Sequence, residues 1–194
     1  AGGGLSATTI AIAGAAVAGG AVAATQVIGK GDQPEQAHYR GTFTGTLNGT
    51  VVNRTSGQTC IQTFAVSASI SVDLDPNEPA NAQGNLSFSG SSTMTSASAG
   101  CGGVGQTNPF GGGTDVSGTQ AALRGSTTSN STNTGPAGDA ISNAFTTAFD
   151  GAVNGATITG TLKTDNRGQS VSPTVGTNDF LQAGVFSVSL AKSQ

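Results

Sequence analysis

The sequence predicts a mostly β protein, an antiparallel β-sandwich or small barrel of six to eight strands, preceded by an uncharged Ala/Gly-rich N-terminal segment. Three observations predict it. Several stretches alternate between apolar and Ser/Thr side chains, the period of a strand with one dry and one wet face. Thirty-one glycines and a charged fraction of only 9% describe one domain with a thin core. The first 29 residues carry no charge, and the first charged side chain is Lys30.

Residues 1–29 form a hydrophobic assembly or anchoring segment, with larger apolar side chains at Leu5, Ile10, Ile12, Val17, Val22, Val27 and Ile28. A helix of about 24 residues would span roughly 36 Å, enough to cross a bilayer. Those seven side chains supply only about −3 kcal/mol of insertion energy before Gly, Ser, Thr and Gln are counted against them, so a membrane is at most a weak host before assembly. Ala11, Ala15 and Gly19, four apart, would let a second helix approach closely, which favours burial against protein. A strand donated to a neighbour's sheet edge is the alternative, since Thr8, Ile10 and Ile12 alternate with small residues. The helix is preferred. A processed targeting segment is disfavoured, because no basic residue precedes the apolar run.

Residues 30–37, with the first charges and Pro34, read as a hinge, and 38–194 as a secreted β-domain. The alternation begins with Tyr39, Gly41, Phe43, Gly45, Leu47, Gly49 and Val51 on one face and Arg40, Thr42, Thr44, Thr46, Asn48 and Thr50 on the other. It returns at Cys60 to Leu74, at Leu86 to Met94, at Ala156 to Leu162 and at Phe186 to Leu190. Such strands suit a sandwich or closed barrel, and a parallel α/β sheet would show continuous apolar runs instead. A quartet of apolar, Ser/Thr, Gly and Ser/Thr occurs at Phe43, Phe88, Val116 and Ile158. Its glycines mark bends or close approaches, or simply reflect composition. Residues 102–139 read as long Gly/Ser/Thr-rich loops with a brief strand around Val116 to Leu123. Ile141 to Phe149 is open between helix and strand, with the four-residue spacing of Phe145 and Phe149 favouring a helix slightly.

Cys60 and Cys101 have no CxxC spacing and no His partner, so one disulfide is expected rather than a metal site. Closing a loop of about 41 residues stabilises by about 4 kcal/mol in the chain-entropy model, and it implies an oxidising, extracellular or periplasmic setting.

Chemistry is sparse. The single histidine, His38, has no acidic residue in its own stretch to orient it as a base. The run Asp73-Leu74-Asp75-Pro76-Asn77-Glu78 fails the EF-hand pattern and reads as a solvated turn, with a one-sided calcium site the weaker alternative. No phosphate-binding loop or nucleophile elbow is present, so no catalytic residue, metal or cofactor is expected. Net charge −3, with seven scattered Lys and Arg, disfavours nucleic acid. Four sequons, at Asn48, Asn53, Asn85 and Asn130, permit glycosylation and no more.

The expected function is structural: an extracellular subunit that self-assembles into a filament, pilus-like fibre or surface layer. Its own copies are the partner, and the segment holding Ile10, Ala15 and Gly19 is buried between them. The plan resembles that of pilin-like proteins in layout alone, since the segment lacks the acidic residue found near the start of type IV pilins. The alternative is a monomeric, membrane-tethered β-domain that binds a glycan or other extracellular ligand.

Overall fold

The computed structural model describes residues 36–193 apart from 76–79, 135–138 and 175. Eight antiparallel strands run in chain order: β1 (Ala37–Asn53), β2 (Thr59–Leu74), β3 (Ala82–Ala97), β4 (Thr107–Thr119), β5 (Ala122–Thr134), β6 (Ala140–Asn154), β7 (Thr157–Ser172) and β8 (Gly176–Lys192). Each strand neighbours the next and β8 returns to β1, so the sheet closes into an up-and-down barrel. Of the two expected architectures it is the barrel, with strand number at the upper limit.

The period-two pattern decides what points inward. Tyr39, Phe43, Leu47 and Val51 of β1 are buried while Arg40, Thr42, Thr44 and Thr46 are exposed, and β2 buries Phe64, Val66, Ala68, Ile70 and Val72 in the same way. The interior centres on four rings, Phe43, Phe88, Phe110 and Phe186, whose centroids lie 5.1–6.4 Å apart. Burying each such ring stabilises by about 1.5–3 kcal/mol. Gly45, from one of the quartets, makes room for them: a Cβ there, or at Gly184, would sit 2.7 Å from the Phe186 ring. The outward face is Ser- and Thr-rich, as at Thr42, Thr44, Ser67 and Ser69. A membrane-spanning barrel carries an apolar band there instead.

Polarity changes along the barrel axis. The inward side chains of β7 begin with Ile158 and Leu162 and continue with Thr164, Asn166, Ser170 and Ser172, all buried. At that polar end the Asn53 side-chain amide donates to Asn178 Oδ1 at 2.9 Å, while Asn53 Oδ1 accepts the Thr55 and Ser56 amides and fixes the β1–β2 turn. A small apolar cluster of Val51, Cys60, Ile141 and Phe180 lies beside that pair, with Val51 and Phe180 one layer further in. At the dry end the Ser193 amide donates to the His38 carbonyl at 2.8 Å, so the chain enters and leaves the barrel at one rim.

Two expectations change. The stretch 102–139 holds two thirteen-residue strands, β4 and β5, because edge strands form from backbone bonding and need no apolar alternation when one face stays wet. Ile141 to Phe149 is strand, within β6: residues four apart also share one face of a strand, and Phe145 and Phe149 both turn towards the core.

Candidate functional site

The assembly residues Leu5, Ile10, Ile12, Ala15, Val17, Gly19, Val22, Val27 and Ile28 lie outside the described residues. Cys60 and Cys101 form the expected disulfide, with Cα atoms 5.9 Å apart, tying the start of β2 to the loop ahead of β4. The bond fits a non-cytoplasmic location.

His38 does have a carboxylate. The β1–β2 register sets His38 opposite Asp73, and its Nδ1 lies 2.9 Å from Asp73 Oδ1, which also accepts from Arg40 Nη1 at 2.6 Å. Burial raises the Asp73 carboxyl, but the bonds from His38 and Arg40 outweigh it and hold the group below its ordinary value. Sequence missed the pair because the partner is 35 residues away and only strand register joins them. A similar exposed clasp joins Arg54 to Asp179 through two bonds of 2.6 and 2.9 Å, which lower the Asp179 carboxyl. Among the described residues no group of three or more His, Cys, Asp or Glu could hold a metal ion.

The unusual feature of the barrel is the seam between β4 and β5. β4 is laced to β3 from Thr107 to Gly118, and β5 to β6 from Leu123 to Thr134. Between themselves they share three register pairs, Ser117 with Arg124, Gly118 with Leu123 and Thr119 with Ala122. One further link follows, Thr114 Oγ1 to Thr127 Oγ1 at 2.9 Å. Beyond it the edges of β4 and β5 face each other without a ladder.

The local sequence explains the parting. Gly112 lets β4 settle against β6: a Cβ there would stand 2.8 Å from the Phe145 ring and 3.0 Å from Thr147 Oγ1, while at Gly111 and Gly113 it would meet the β3 backbone. Pro109 has no N–H to give and suits an edge. β5 is then left outside. From Gly125 to Thr134 it reads GSTTSNSTNT, uncharged, free of proline and mostly exposed on both faces. Natural edges are usually blunted by Lys, Pro or a bulge. This one is not.

A groove of about 280 Å³ runs along the seam over Leu86, Gly112, Gly113, Phe145 and Thr147, with Thr127 and Ser129 of β5 on its wall. Beside it is a void of about 20 Å³ bounded by Phe110, Phe145, Thr164 and Asn166, large enough for one water-sized molecule. Thr164 Oγ1 and Asn166 Oδ1 are buried there with no hydrogen-bond partner among the described residues. Such atoms cost about 1–3 kcal/mol each when unmade. The seam therefore offers a row of backbone donors and acceptors and a half-buried aromatic ring beside Leu86, with two unpartnered polar atoms in the neighbouring void. Sequence reasoning named Leu86 and Phe145 for their spacing alone and assigned the seam no role. The signal was negative: a strand-length run polar on both faces, which period counting cannot see.

The chain matches no protein-family model, and comparison with characterised proteins finds no match.

Proposed function

We propose that this protein is a structural, self-assembling extracellular subunit, of a filament or surface layer, with its N-terminal segment buried between copies. One observation carries the reading: a barrel whose other seven strand pairs each share at least nine register positions, stapled by Cys60–Cys101, leaves a long, unblunted edge at β5. Unpaired edges are where chains add to one another. The uncharged segment 1–29 supplies a complementary need, since its Ala/Gly and Ile side chains gain from a dry partner. A Ser/Thr exterior with little charge suits a durable surface.

Negative-stain electron microscopy of the intact chain beside a shortened chain beginning at Lys30, both without detergent, tests this. Filaments or sheets from the intact chain alone are the expected result. Monodisperse particles from both would overturn it and favour the second reading, a tethered domain binding a small polar ligand, for which the groove beside Asn85, Asp115 and Phe145 provides the observation.

A further inference from the structure

We propose that the β5 edge accepts residues Ser6–Ala13 of a second copy as an added strand, with Ile10 and Ile12 turned onto Phe145 and the groove floor. This rests on the self-assembly reading above, and it names the contact. It also exchanges the preferred helix for a strand over this short stretch, because the barrel presents an edge.

Four features argue for this occupant. The first is length: the unladdered run of β5, Gly125–Thr134, and an extended stretch of eight residues at about 3.3 Å each are of similar span. The second is alternation. Ser6, Thr8, Ile10 and Ile12 would share one face and Ala7, Thr9, Ala11 and Ala13 the other, so the apolar pair meets the partly buried Phe145 ring while small side chains face outward. The third is charge: neither strand carries any, so no repulsion sets the edge against this segment, and neither proline nor lysine guards it. The fourth is reach. Thirty-five residues precede the described barrel, and those between Ala13 and Gln36 are ample to carry the strand to a neighbour. Each copy would then give one strand and accept one, a head-to-tail contact that propagates.

Cysteine pairing between copies tests the proposal. Full-length Ser129→Cys is mixed with each of Thr8→Cys, Thr9→Cys, Ile10→Cys, Ala11→Cys and Ile12→Cys, oxidised mildly, and the linked peptides are identified by mass spectrometry. Position 129 faces the groove, so linkage at 8, 10 or 12 at least tenfold above linkage at 9 and 11 is expected. Filaments that form with no links, or with equal links at all five positions, overturn the strand contact and leave the assembly reading standing. Absence of both filaments and links overturns both. A chain carrying Ile10→Cys and Ser129→Cys together that links only within itself overturns donation between copies. As a second measure, Ser129→Lys should abolish filaments while the Cys60–Cys101 bond and the β-sheet circular dichroism persist; filaments that survive it overturn the proposal.

Discussion

The β1–β2 and β4–β5 hairpins both join sequence neighbours in the ring and finish differently. β1 and β2 stay in register from Ala37 opposite Leu74 to Val52 opposite Thr59, whereas β4 and β5 part after three pairs. In the first hairpin both strands bring large inward side chains, so pairing the backbones and burying the side chains are one event. In the second, β4 brings Gly111–Gly113 and β5 brings Thr127, Ser129, Ser131 and Asn133. β4 then meets Phe145 through Gly112 and keeps three pairs with β5. A ladder holds where the side chains beneath it also want to be together.

Hydrogen exchange should expose the contrast most widely. Amides of β2 are expected to exchange only through global unfolding, while every second amide of Gly125–Thr134, the set turned towards the seam, should exchange nearly as in an open chain. The gap corresponds to about 5 kcal/mol or more. Equal protection in the isolated protein would mean the seam is shut. Phe64→Ala, in the laced hairpin, should cost about 3–5 kcal/mol in urea unfolding, since Phe64 is only 2% exposed. Replacing Cys60 and Cys101 together by Ser should cost about 4 kcal/mol, roughly 8–16 °C in Tm, and should speed exchange at the start of β4, which the bond holds near β2.

Gly112→Ala sharpens the comparison at the seam itself. Its Cβ would crowd Phe145 at 2.8 Å, so a loss of about 1–3 kcal/mol is expected together with faster exchange across β4. Acid should act least. Asp73 and Asp179 both titrate below their ordinary values when folded, so the stability they add is present above the unfolded value of about 3.9 and is lost as pH falls through their folded values. Asp73 clasps β1 to β2, is part exposed, and should contribute under about 1 kcal/mol. Asp73→Asn should flatten the fall in urea midpoint between pH 6 and pH 2.5.

Much of the barrel was legible because most strands alternate between apolar and Ser/Thr residues: Tyr39 to Val51, Phe64 to Leu74 and Phe186 to Leu190 declare their inward faces. β5 was illegible for a physical reason. From Gly125 on its two faces are similarly polar, so no burial signal separates them, and its strand character there comes from pairing with β6. The second half of β7 hid similarly, since Thr164, Asn166 and Ser170 are inward yet polar. The disulfide followed from cysteine count, but His38 with Asp73 and the whole seam depend on register, which lies between strands and not within any one of them.

Because His38 and Ser193 share a rim, the two ends of the described chain lie side by side. The molecule could be rewired there: a short linker across that rim, with new ends cut at Gln120 and Ala121, would give a circular permutant whose break falls at the least-laced turn of the ring. Such a permutant should fold to the same barrel, and it would free the β5 edge from its only covalent tie to β4.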